Sequence, residues 1–315
     1  VGGVITRVVK DEPDEEGYEY FPESEMGEIY SPIAIDYFTR ASQGDKDSEA
    51  DVFMYNFMGH SGKFVYDNNK MIIMIPVKDL VIEPYEDGYK ITTTDGIVYN
   101  FANTETTSSF NHVVGKSRDY NPPLITAWYL SDITHPNGDV INFSYNGYTY
   151  EYDNSVSQSH YKSFQTTGCS GGGMCGPTNI LTTYRNSSRI NPRILTQIYS
   201  NKDIYGSVDF QYNYNHPEVA GYTLISNINV RDQNNSIIES FDLNYLSTSN
   251  DRVFLTSLMF DDPTKKYSFD YIDPELLCER LSYSQDYWGY YNGEPNQYFL
   301  PTITNHQLFI DSPYA

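Results

Sequence analysis

Six histidines, His60, His112, His135, His160, His216 and His306, are where a metal or acid–base site would first be sought. No two of them have the i, i+4 helical spacing of a zincin, so that site is excluded. His60, beside Gly59 and Ser61, reads as a hydrogen-bonding turn residue. No Gly-x-Ser-x-Gly elbow marks a serine nucleophile. Gly171-Gly172-Gly173 lacks the lysine and helix of a phosphate loop and reads as plain flexibility. Asp45, Asp47, Glu49 and Asp51 alternate and could bring several oxygens to one Ca²⁺. The glycine and bidentate glutamate of an EF-hand loop are missing, however, so the segment reads as a solvated acidic loop and no metal is assigned. A glycosidase would need two carboxylates roughly 5 to 10 Å apart in a groove. Sequence alone does not choose that pair among so many acids.

Two further groups of residues could do chemistry. Cys169-Ser-Gly-Gly-Gly-Met-Cys175 could close a small disulfide ring, with two unpaired loop thiols as the alternative. Its spacing matches no zinc site. Cys278 reads as a small buried hydrophobe. Tyr287, Trp288, Tyr290 and Tyr291 form an aromatic run around Gly289. They could make a sugar-stacking platform, or a plug that seals a sheet edge. Packing is the favoured reading, because aromatic side chains bury large areas. Nothing in the sequence calls for a cofactor.

The chain that must position these groups has 315 residues, 20 Lys+Arg against 42 Asp+Glu, and a formal net charge of −22. Such a surface repels phosphate backbones, which argues against nucleic acid as a partner. No apolar run is long enough to span a membrane; the longest, Met71 to Val77, contains a proline and has strand length. Tyr contributes 31 residues, and this aromatic and β-branched content argues for a packed chain despite the charge. The sequence opens on Val1 without a charged and apolar leader, and reads as a piece of something longer or a mature product.

The elements are mostly strands. Ser31-Pro32-Ile33 opens one short helix through Ala41. Asp51 onward is β-rich, with an Asp95-Gly96 signal for a tight primed hairpin turn. The stretch from Asn103 to Pro123 reads as irregular. A unit then recurs four times: Leu-x-x-Ile/Leu or similar, a polar turn, and an aromatic–polar–aromatic strand. These units end at Tyr145, Tyr212, Tyr245 and Tyr271. Such alternation gives each hairpin one apolar face that only a neighbouring hairpin can cover. The expected fold is therefore all-β, with antiparallel hairpins in curved, twisted sheets. The expected organisation is an acidic opening segment with N-terminal hairpins over 1–115, hairpin units over 116–280 with an inserted loop at 148–191, and an aromatic tail over 281–315. These parts could equally form one continuous domain.

These hairpins resemble the tyrosine–aspartate repeats of the RHS/YD-repeat family. The segment Gly2-Gly3-Val4-Ile5-Thr6-Arg7, the run Asp51 to Phe64, Trp128-Tyr129-Leu130 with Pro136-Asn137-Gly138-Asp139, and above all Asp286-Tyr287-Trp288-Gly289-Tyr290-Tyr291-Asn292-Gly293 resemble the region before the repeat array in Bacteroidetes members. The resemblance covers most of the chain in patches and leaves Tyr148 to Asn191 uncovered. It implies a secreted or cell-surface protein whose β-ribbon winds a hollow shell around a variable C-terminal cargo. It implies as partner the rest of a longer chain; the tyrosine richness and the Tyr287–Tyr291 run add a glycan or another surface protein as an expected partner. The family's self-cleaving motif is absent, so neither autoproteolysis nor toxicity is carried over. The resulting expectation is a non-enzymatic structural module, with a carbohydrate-binding module and a glycoside hydrolase as alternatives.

Overall fold

The computed structural model describes residues 2–10, 13–14, 31–43, 47, 49–111, 123–162 and 179–299, apart from Asn68, Asp203, Pro263 and Tyr287. Among the described residues the architecture is all-β with one α-helix, as expected. β1 (Gly3–Val8) precedes α1 (Pro32–Gln43). Ser31 caps this helix: its Oγ accepts the Ala34 N–H at 3.1 Å, and Pro32 occupies the first helical position.

Strands β2 (Val52–Phe57), β3 (His60–Tyr66), β4 (Ile72–Ile75), β5 (Leu80–Tyr85), β6 (Gly88–Thr93) and β7 (Val98–Asn111) follow. Two expectations fail here. The Asp95-Gly96 turn is not a two-residue primed turn. Thr93 N–H donates to Ile97 O and Gly96 N–H to Thr93 O, and of the two only Gly96 has positive φ. This is a three-residue loop, held by Thr93 Oγ1 donating to the Asp95 carboxylate. From Asn103 to Asn111 the chain is also not irregular, because β7 runs on to Asn111; residues 112–122 lie outside the described residues. Polar cross-strand pairs such as Thr107 Oγ1–Thr126 Oγ1, at 2.8 Å, replace the apolar alternation that sequence reading looks for.

The second half contains β8 (Leu124–Thr134), β9 (Val140–Gly147), β10 (Tyr150–Lys162), β11 (Asn179–Asn191), β12 (Arg193–Ser200) and β13 (Ser207–Gln211). It continues with β14 (Tyr214–Asn215), β15 (Thr223–Leu224), β16 (Asn227–Arg231), β17 (Ile237–Ser247), β18 (Val253–Phe260) and β19 (Lys266–Ser268). The insertion between 148 and 191 thus carries two long strands, β10 and β11, paired along their whole length.

All pairings are antiparallel, and the sheet branches at β8 and β7. One edge of β8 pairs with β7. Its other edge is divided between β1, at Ala127–Tyr129, and β9, at Asp132–Thr134. From β1 the ribbon runs outward through β2, β3 and β4. From β9 it runs through β12, β13, β16, β17, β18 and β19. The second edge of β7 is divided in the same way, between β6 and β11. The branches fold over one core. Phe57 meets Phe101 at 5.5 Å, Phe64 meets Tyr89 at 5.3 Å, and Phe53 meets Trp128 at 5.8 Å. Trp128 Nε1 donates to Asp87 O at 2.9 Å. Beside it a Cβ on Gly88 would lie 1.9 Å from Phe101 O, so only glycine fits.

A hydroxyl tie accompanies every unit of the repeat. Leu130-Ser131, Leu195-Thr196, Ile225-Ser226 and Leu255-Thr256 occupy equivalent places. Ser131, Thr196 and Thr256 are the extra residues of β-bulges. Their hydroxyls donate to Asn100 O, Ser144 O and Asn244 O, at 2.8, 3.1 and 3.0 Å, and Ser226 Oγ donates to Gln211 O at 3.2 Å. In the opposite direction, Tyr145, Tyr212, Tyr245 and Tyr271 donate their phenol hydrogens to Leu130 O, Leu195 O, Ile225 O and Leu255 O, at 2.8, 3.0, 2.7 and 2.8 Å. The bulge explains the Leu-x-x-Ile spacing. Residues three apart cannot share a face of a regular strand, but one extra residue restores the phase. Leu130 and Leu195 are therefore buried, with Ile133 and Ile198 packed against the same core.

Candidate functional site

The acidic loop is solvated only in part: Glu49 is exposed, and Asp45 lies outside the described residues. Asp47 and Asp51 are both buried. Asp51 Oδ2 accepts Arg7 Nε at 2.7 Å and its Oδ1 accepts the Lys10 N–H at 2.7 Å, while the Asp51 N–H donates to Asp14 Oδ1 at 2.9 Å. Arg7, itself buried, lies 5.6 Å from the Phe53 ring centroid. The loop clasps the end of β1 through a charge pair, which sequence reading missed because Arg7 and Asp51 lie far apart in the chain. Among the described residues no three His, Cys, Asp or Glu side chains are grouped to hold a metal ion.

Two of the histidines serve turns. His216 Nδ1 accepts the N–H groups of Glu218 and Val219, both at 3.2 Å, and His135 Nδ1 accepts that of Asn137 at 3.2 Å. Burial holds the His216 pKa below its ordinary value. The Arg280 charge adds to this, and Glu218 and Asp251 oppose it. The His60 ring packs 5.2 Å from Phe57.

A cleft of about 510 Å³ is the place where carboxylates do gather, with Glu151, Asp153 and Glu218 in its wall. Each is engaged by an arginine: Glu151 by Arg189, Asp153 by Arg185, and Glu218 by Arg280. Arg280 also lies over the Tyr152 ring at 5.3 Å. The arrangement joins the β10–β11 arm to the chain after β19. It is a charge-paired clamp and offers no unengaged carboxylate pair.

Half-buried tyrosines line one face of the repeat. Tyr129 and Tyr145 are 5.7 Å apart, Tyr150 and Tyr222 5.2 Å, and Tyr214 and Tyr245 4.9 Å. Burial raises the pKa of Tyr129, Tyr145, Tyr148, Tyr212 and Tyr245. Tyr150 is pushed up to about 12, by burial first and then by the charges of Tyr152, Glu105 and Tyr222.

The aromatic run lies on a hairpin turn. Asp286 Oδ1 accepts the N–H groups of Trp288 and Tyr290, both at 2.9 Å, and Gly289 takes the positive φ. Asp67 with Lys70, and Asp232 with Asn235, build their turns on the same plan. Packing was the favoured reading, but Trp288 is 79% exposed and Tyr290 73%. A turn tip projects its side chains away from the sheet, whatever their hydrophobicity. Tyr291 is tethered, its Oη donating to Leu276 O at 2.5 Å. Tyr287, Cys169, Cys175, His112 and His306 lie outside the described residues. Cys278 is half-buried and takes a hydrogen bond from Ser282 Oγ. Among the described residues no helix is long and apolar enough to cross a membrane.

No protein-family model and no curated protein matches this sequence. Two solved structures resemble the chain distantly. In the crystal structure of TcdB2-TccC3-TEV the identity is 10% and the TM-score 0.30, over 71% of this chain and 11% of that one. This chain therefore spans about a ninth of that chain's length. With the N-terminal domain of the effector SpvB from Salmonella typhimurium strain LT2, the identity is 9% and the TM-score 0.33, over 86% and 88% of the two chains. Similarity at this level is a coarse one of shape, and neither a family nor an activity follows from it.

Proposed function

We propose that this chain is a non-enzymatic structural module of an exported RHS-like protein, the lead-in or cap of a β-shell around a downstream cargo. The observation that supports this most is the hydroxyl tie, repeated in four successive hairpins. Catalytic proteins concentrate unusual polar groups in one cleft. Here the distinctive hydroxyls instead join strand to strand along a ribbon, and the clefted carboxylates are engaged by arginines. The test is to fractionate cells making the intact gene product and to image the purified product by electron microscopy. The protein should be found at the surface or in the medium, with this ribbon continuous with further β-structure. A cytoplasmic product, or a segment tumbling as an independent unit, would overturn the reading.

A further inference from the structure

The exposed rings at Trp288 and Tyr290 do not stand alone. The bond from Tyr291 to Leu276 ties their turn to the 3₁₀ turn Pro274–Leu276. On that side Ile272 is 96% exposed and Leu276 69%. Exposed aliphatic and exposed aromatic side chains are thus carried on two turns that this bond holds together. A sugar-stacking surface uses flat rings, so exposed Ile272 and Leu276 would add nothing to it. Side chains of another polypeptide, by contrast, pack against both kinds. Apolar surface gathered in this way on a polar chain marks an interaction site.

Charge selects the partner. Between residues 270 and 294 there are six carboxylates, Asp270, Asp273, Glu275, Glu279, Asp286 and Glu294, against one cation, Arg280, which Glu218 already engages. Asp270, Asp273, Glu279 and Glu294 are exposed on the same stretch of chain. Such an excess of carboxylates attracts a cationic partner and repels anionic surfaces. We propose that the face formed by Ile272, Leu276, Trp288 and Tyr290 docks a basic, apolar polypeptide segment, with the partner's aliphatic groups against the rings and its Lys or Arg against these carboxylates.

The test uses the whole chain and a short fluorescent peptide of alternating Lys and Leu. Control peptides replace Leu by Ser at the same charge, or Lys by Glu. Neutral oligosaccharides are titrated in parallel. The Lys/Leu peptide should bind at least about tenfold tighter than the Lys/Ser peptide, since apolar anchors carry most of the affinity at such sites. Trp288→Ala and Ile272→Ser, both at exposed positions, should each weaken it about fivefold or more. Val77→Ser, at an exposed apolar site elsewhere, should leave it unchanged. Asp273→Asn should weaken it and flatten its salt dependence. Equal binding of the Lys/Leu and Lys/Ser peptides would reduce the effect to net charge and overturn the proposal. Indifference to Trp288→Ala would overturn it as well, as would binding of a neutral oligosaccharide in place of the peptide. None of these outcomes bears on the scaffold reading, which stands on the ribbon itself.

Discussion

Tyr145 sits opposite Leu195 on the next strand, yet its phenol reaches back to the carbonyl of Leu130 on the strand before. One residue therefore links three strands, two by its side chain and the third by backbone pairing. Tyr212→Phe, which removes the equivalent bond to Leu195 and little else, is expected to cost about 1 kcal/mol in chemical denaturation. Thr196→Val should cost a similar amount. Because the two ties share one bulge, the double variant should depart from additivity. Strict additivity would mean that the hydroxyls act as separate decorations.

Alkaline pH should weaken the fold through the same residues. The Tyr150 phenol ionises near 10 when unfolded but at about 12 when folded. The unfolded chain therefore loses its proton first, and the native state binds more protons across that interval. Stability is complete below about pH 10 and falls as pH rises toward 12. Tyr129, Tyr145 and Tyr148 shift in the same direction and should add to the slope. Ultraviolet titration should show a late-ionising class of tyrosines whose release coincides with loss of the β circular dichroism signal. Smooth titration of every tyrosine near 10, with structure intact, would contradict this.

His216 gives a weaker dependence of opposite sign. Its pKa is lowered in the fold, so the neutral ring is the favoured native form and the unfolded chain takes up the proton first. Its contribution is present above the ordinary value of 6.5 and is lost as pH falls below it. His216→Gln should flatten the melting temperature across that range, and an unchanged profile would assign the acid sensitivity to other groups.

The Arg7–Asp51 pair is expected to be the most fragile polar contact. Asp51→Ala removes the buried carboxylate that engages the Arg7 guanidinium and should cost about 3–5 kcal/mol. A change under 1 kcal/mol, read from the denaturation midpoint, would mean that the charge is screened by water in solution.

Gly88→Ala supplies a steric test. The added methyl would meet the Phe101 carbonyl at 1.9 Å, so β6 would have to move off β7 and release the Trp128 bond to Asp87. Loss of soluble product, or a red-shifted tryptophan emission, is expected. Wild-type emission with wild-type stability would show that the β6–β7 contact is looser than described.

Much of the fold was legible because it follows local rules. Ser31-Pro32 announced α1 by capping chemistry, and the four Tyr-ended units announced antiparallel hairpins by alternation. The bulges were present in the sequence as a three-residue spacing, but a period-2 reading passes over an inserted residue. β10 and β11 were missed because their alternation is of Ser, Thr, Asn and Gln, whose pairing is by hydrogen bond and leaves no hydropathy trace. The burial of Asp51 depends on a partner more than forty residues away, which local composition cannot report. The aromatic run was read by hydrophobicity alone. Its Asp286–Gly289 frame, shared with two other turns, was the stronger signal that it would project from the sheet.

The divided edges of β7 and β8 also constrain the order in which the chain can become native. β1 is made before both of its neighbours: it borders β2 on one side and, through Ile5, Trp128 of β8 on the other. During vectorial synthesis it has to wait, half-paired, until the whole β2–β8 stretch has emerged. Contacts of such long sequence separation form late because loop closure must come first. A ribosome-stalled chain ending before Trp128 should therefore expose β1 to proteases, while the β5–β6 hairpin is already protected. On this view β1, made before every strand it pairs with, is the last of the core to be locked.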